Sequence, residues 1–141
     1  MMLFEKIDKS DKNIVFVYTT CFNIGEARMM GLSAVNKKLA ISADYWIINS
    51  IYPWMDVIQE GEQYMLMFST QKALSEKLIK HIEAEHSYSV PVIVQLDVSL
   101  ANQPYTFWVD NLLTKEGEYI TETEAEIKKK NERGPHYERL K

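Results

Sequence analysis

The sequence predicts an α+β fold, one antiparallel sheet with helices on one face, and three stretches carry that prediction. In Leu74 to Val98, a helical stripe of Leu74, Leu78 and Ile82 gives way at Pro91 to the β-branched run Val92–Val98. Upstream, Asn13–Thr20 is a strand by composition and leads into a second helical stripe. Between these halves lie two further strands, Leu39–Tyr52 and Glu62–Thr70, whose short connection makes them antiparallel. The order is β-α-β-β-α-β with an extra terminal helix, a ferredoxin-like sandwich.

Each element has its own signal. The continuous apolar run Ile14-Val15-Phe16-Val17-Tyr18 predicts a first strand buried on both faces. Asn23 followed by Glu26 has the spacing of a capped helix start, and Ile24, Ala27, Gly31, Ala34, Val35 and Lys38 trace the helix that follows. Asp56–Gly61 is polar and reads as the turn between the second and third strands. Thr70 is placed to cap the second helix, and Val92–Val98 is apolar enough for a central strand. Tyr105, Trp108, Val109 and Leu112 then stand at i, i+3, i+4 and i+7, a short terminal helix with its aromatic side inward.

Composition narrows the function classes. The 141 residues fit one domain, and a net charge of −4 leaves no basic footprint for nucleic acid or an anionic membrane. No apolar run approaches the roughly 20 residues that span a bilayer. Nothing in Met1-Met2-Leu3-Phe4-Glu5-Lys6 resembles a signal peptide. A single cysteine, Cys21, points to a reducing cytoplasm. No phosphate loop, Ser-His-Asp set or paired-carboxylate motif stands out, so the chain is expected not to be an enzyme.

Four motifs in order resemble the CutA family, small proteins named for divalent-cation tolerance. They are Val17-Tyr18-Thr19-Thr20, Ser50-Ile51-Tyr52-Pro53-Trp54, His86-Ser87-Tyr88-Ser89-Val90-Pro91 and Tyr105-Thr106-Phe107-Trp108. The resemblance spans roughly Ile14 to Leu113. It implies a homotrimer formed through the sheet edges, with inter-subunit clefts that bind a small ligand or metal ion, linked to metal-ion tolerance. The chain departs from the family at several polar positions. Ser42 stands where the family has a cysteine discussed as a copper ligand, Asp56 and Val57 replace a glycine and a lysine, Ser69 replaces a lysine and Ser87 a proline.

Among individual side chains, His86 is the leading metal-ligand candidate and Cys21 the second, with copper(II) or another divalent cation as a weakly held partner. Each has a structural alternative: His86 at the C-terminus of a helix, Cys21 as a small buried residue. Tyr52, Trp54, Tyr88 and Trp108 are the candidate lining of an inter-subunit cleft, or equally anchors of the trimer interface. Met65 and Met67 share a strand face, where filling the core is the simpler role. His81 and His86 are five residues apart, too far around a helix to clamp one ion.

The chain thus divides into a charged lead-in (1–12), the CutA-like domain (13–114) and a charged tail (115–141), for which a part-helical form is one reading. The tail carries Glu116, Glu118, Glu122, Glu124 and Glu126 ahead of Lys128, Lys129 and Lys130. Its i,i+4 pairs are worth only about 0.2–0.5 kcal/mol each. An alternative reading follows from it: a structural or adaptor trimer that presents these tails to a protein partner and has no metal role.

Overall fold

The computed structural model describes residues 13–113, so the lead-in and tail expected above lie outside the described residues. The elements run β1 (Ile14–Cys21), α1 (Ile24–Asn36), β2 (Ser42–Trp54), β3 (Val57–Gln71), α2 (Lys72–Glu85), β4 (Ile93–Asp97) and α3 (Gln103–Leu112). The strands form one four-stranded sheet in the order β2-β3-β1-β4, and every neighbouring pair is antiparallel. This is the predicted β-α-β-β-α-β fold with a terminal helix. No helix among the described residues is long and apolar enough to cross a membrane.

Register decides which residues enter the core, because partners directly opposite one another share a sheet face. Val17 stands opposite Phe68 and Thr19 opposite Leu66, and all four are buried. Against them pack Ala27, Met30 and Ala34 of α1 and Leu78 and Ile82 of α2. Small residues let α1 lie close: a Cβ added to Gly31 would come within 3.2 Å of the Ala43 Cβ. A second cluster joins Ile14, Leu74, Val109 and Leu113 at the far end of β1, with Phe16, Tyr105 and Trp108 packed on it.

The other parity of the sheet brings Tyr18 opposite Met67 and Val94, Phe16 opposite Leu96, and Met65 opposite Trp46. Trp46, Val94 and Leu96 are exposed there. The first strand is therefore deeply buried on one face and only half-buried on the other, where the sequence predicts burial on both. Met65 and Met67 lie on this barer face and are half-buried rather than part of the core.

Several local expectations are corrected. β2 begins at Ser42 and runs to Trp54; just before it the Leu39 carbonyl accepts from the Thr70 hydroxyl at 2.7 Å rather than from a strand partner, and the Ile41 N–H reaches the Ser69 carbonyl of β3 at 2.8 Å. Thr70 is thereby drawn away from α2, whose N-cap is Gln71 with no side-chain cap. Instead of a turn over Asp56–Gly61, Met55 and Asp56 alone reverse the chain, both at positive φ (51° and 65°), the mirror-image geometry that suits the twist of a tight hairpin. β2 and β3 consequently rise past the end of β1 as a two-stranded arm, from the pair Ile48–Gln63 to the pair Trp54–Val57. β4 is an edge strand, not a central one. α1 ends at Asn36, and Lys38, expected on its stripe, sits beyond it at φ 61°.

Candidate functional site

Three chain segments converge where β1 ends. Asn23 begins α1 by accepting the Glu26 N–H on Oδ1 at 2.8 Å. Glu26 then uses both carboxylate oxygens: Oε1 accepts the Phe22 N–H at 3.0 Å, and Oε2 accepts the Ser87 N–H at 2.8 Å. Burial pushes the Glu26 carboxyl up, but the Phe22 and Ser87 donors, with the nearby His86 ring, outweigh it and hold it below the usual value. The start of α1 is thus bound to the loop that follows α2.

That loop is anchored by His86, the C-cap residue of α2, whose side chain is 0% exposed. Its Nε2 lies 2.9 Å from the Thr20 carbonyl and 3.0 Å from the Thr19 hydroxyl. Its Nδ1 accepts the Tyr88 N–H at 3.1 Å. A carbonyl only accepts, so the ring proton sits on Nε2. The imidazole ties α2 to β1, and no ring nitrogen is left without a partner.

Tyr88 follows, its ring 4.9 Å from that of His86, and its hydroxyl donates to Gln63 Oε1 at 2.9 Å at the foot of the arm. Burial first, and then the neighbouring Tyr52, Glu26 and Cys21, raise the pKa of its hydroxyl above the ordinary value. It therefore stays a neutral hydrogen-bond donor. Cys21 is fully buried beneath the cluster. Burial and the Glu26 charge push its thiol up to about 12, so it is protonated at neutral pH.

These donors do not make a ready metal centre. A thiolate is the metal-binding form of cysteine, and Cys21 is held as a thiol. His86 and Glu26 approach one another, Nδ1 to Oε2 at 3.9 Å, but both atoms already accept backbone N–H groups. Among the described residues no three His, Cys, Asp or Glu side chains are placed to hold one ion. An ion entering here must displace existing hydrogen bonds.

The aromatic residues divide between the two ends of the molecule. Tyr52 and Trp54 lie on the arm, exposed, on the sheet parity of Gln63. Trp108 lies with the second cluster at the start of β1, stacked on Tyr105 with centroids 6.3 Å apart. The length of β1, roughly 23 Å at about 3.3 Å per residue, separates it from Tyr88. One chain therefore does not bring all four together.

A further polar set bridges α1 and α2. The Ser33 hydroxyl lies 2.9 Å from His81 Nε2 and donates to Glu85 Oε2 at 3.1 Å. Glu85 also approaches Nε2, at 3.4 Å. Because both oxygens face the same ring nitrogen, the carboxylate does not orient the ring from its far side as a catalytic triad requires. The set clamps two helices.

Glu26, Gln63 and the Thr19–Thr20 pair are the site residues that sequence reasoning missed. Thr19 and Thr20 fall in the Val17–Thr20 motif without an assigned role, Glu26 left its three-residue spacing from Asn23, which pointed to a helix start alone, and Gln63 left no signal.

A family model described as CutA1 divalent ion tolerance protein matches residues 15–112. The chloroplastic Protein CutA of Arabidopsis thaliana is 28% identical over 109 residues, covering 75% of this chain and 60% of that protein. The Protein CutA of Bos taurus is 33% identical over 92 residues, covering 65% and 52%. The chain thus spans little more than half the length of these relatives. Among solved structures, CutA1 from Pyrococcus horikoshii OT3 superposes with a TM-score of 0.69 at 26% identity, covering 72% of this chain and 99% of that one. The divalent ion tolerance protein CutA1 from Ehrlichia chaffeensis gives 0.67 at 28% identity, covering 70% and 92%.

Proposed function

The chain belongs to the CutA1 family of divalent ion tolerance proteins, and from that premise we propose that it is a homotrimeric, non-enzymatic binding protein. Its site is the cleft between the foot of the arm and the loop His86–Pro91. The ligand is a small polar molecule or a weakly held divalent cation such as copper(II), and its binding serves a signalling or tolerance role. The cytoplasm is the setting that a lone reduced cysteine suits.

One observation supports this reading most. The loop after α2 is fixed from both sides, by Glu26 on the Ser87 N–H and by His86 on Thr20, and so lays the neutral Tyr88 hydroxyl against Gln63. Such a rigid rim beside exposed Tyr52 and Trp54 suits recognition, which needs placed donors and aromatic surface. Assembly follows from the bare sheet face, where Trp46, Val94 and Leu96 would otherwise face water. A neighbouring subunit supplies what one chain lacks, since Trp108 stands too far from Tyr88 to share a cleft within a chain.

Calorimetric titration of the full chain with copper(II) and zinc(II) tests the proposal. Binding is expected at micromolar affinity or weaker, and weaker still in His86→Ala and Tyr88→Phe. Nanomolar binding indifferent to both substitutions would place the ligands elsewhere.

A further inference from the structure

The polar set that bridges α1 and α2 brings three donor atoms to one point. Ser33 Oγ stands 2.9 Å from His81 Nε2 and 3.1 Å from Glu85 Oε2, and those two atoms are 3.4 Å apart. A triangle with these sides leaves a point about 2.1 Å from all three atoms, roughly 1 Å off its plane. That is the bond length zinc(II) takes to imidazole nitrogen and carboxylate oxygen. The triangle is therefore one face of a coordination shell.

The two helices hold this face in place. His81 and Glu85 stand at i, i+4 on α2, the spacing at which two ligands on one helical face share a zinc ion. Ile82, beside His81, and Ala34, beside Ser33, are buried in the main core cluster, so packing sets both helices. The donors all come from the helical layer, and neither edge strand, β2 or β4, takes part. The His81 side chain is 16% exposed and that of Glu85 37%. The ring is shielded while the carboxylate side opens to water, which fills the remaining positions around an ion.

The donor types choose among ions. An imidazole nitrogen suits zinc, nickel or copper, whereas magnesium and calcium take all-oxygen shells. The third donor is a hydroxyl rather than a further His, Cys, Asp or Glu, so binding is weak. Ser33 gives its one proton to Glu85, and without an ion the His81 Nε2–H donates to Ser33 Oγ. An ion takes the Nε2 lone pair, and the ring proton then sits on Nδ1.

We propose that Ser33, His81 and Glu85 form a divalent-cation site of their own, which takes zinc(II) or a similar transition-metal ion through one hydroxyl, one imidazole and one carboxylate. The site is separate from the His86 loop and does not depend on the reading of that loop. A bound ion ties α1 to α2.

Zinc(II) titration of the full chain, followed by NMR of the histidine ring nitrogens, tests this. The chain has three histidines, His81, His86 and His136, and single replacements assign their signals. The His81 Nε2 signal is expected to move and saturate at sub-millimolar zinc, in the wild type and equally in His86→Ala. Magnesium(II) at the same concentration is expected to leave it in place. Glu85→Gln keeps an acceptor for Ser33 and is expected to weaken the His81 response by about tenfold or more. The wild-type titration stands even where a variant misfolds. A His81 ring unmoved by zinc, a response carried by Nδ1, one lost in folded His86→Ala, or one that Glu85→Gln leaves intact would each overturn the proposal.

Discussion

Glu26 Oε2 accepts the N–H of Ser87 at 2.8 Å, joining the first turn of α1 to the loop after α2 across 61 positions of sequence. The same carboxylate holds the Phe22 N–H on its other oxygen. One acid therefore sets both the start of a helix and the position of the loop that carries Tyr88.

The first prediction concerns acid. Glu26 is held below its ordinary value of 4.5 in the folded state, so below that pH the unfolded chain binds more protons than the folded one. The stability it contributes is complete above about pH 4.5 and is lost as pH falls through the lower folded value. Acid denaturation followed by circular dichroism should show a shallower acid limb in Glu26→Gln than in the wild type. An unchanged limb would assign the acid sensitivity to other carboxylates.

His86→Ala should destabilise the fold by about 1–3 kcal/mol, because it removes the donor to the Thr20 carbonyl and empties a buried site. Urea unfolding measures this. A near-neutral result would mean that water replaces the imidazole without loss.

Cys21 should resist thiol reagents in the native protein, since its pKa is pushed up to about 12 and its side chain is buried. Labelling with a chromogenic disulfide at pH 8 should track global unfolding. Rapid labelling of the native chain would show an opening of the β1–α1 junction.

Light scattering of the full chain should give about three times the 16.5 kDa subunit mass. Trp46→Asp should reduce that mass, because it would bury an unpaired charge on the bare sheet face. A trimer that tolerates this aspartate would have its contacts elsewhere.

Much of the architecture is legible in the sequence, because Leu74, Leu78 and Ile82 announce a buried helical face and Val17 a buried strand. The arm is not. Its strands meet water on both faces, so Asp56–Gly61 shows no alternation, and its turn at Met55 and Asp56 lacks the glycine that marks such reversals. Thr70 has the right spacing for a cap, yet its hydroxyl goes to Leu39, a partner distant in sequence. The site fails to show for the same reason. His86 is visible as a ligand type, but what decides its role are Thr19 and Thr20, far back along the chain.

The arm also orders events in time. β2 and β3 are linked by a two-residue turn and can zip together locally, on the microsecond scale of hairpins. β1 reaches its other neighbour only through distant pairings such as Val15 with Asp97, whose loop-closure entropy slows the step. On this account the β2–β3 hairpin is expected to form before β4 closes the sheet, with Trp46, Ile47 and Ile51 still uncovered. That interval, rather than the finished subunit, is when self-association competes with folding, and refolding yield should fall with protein concentration.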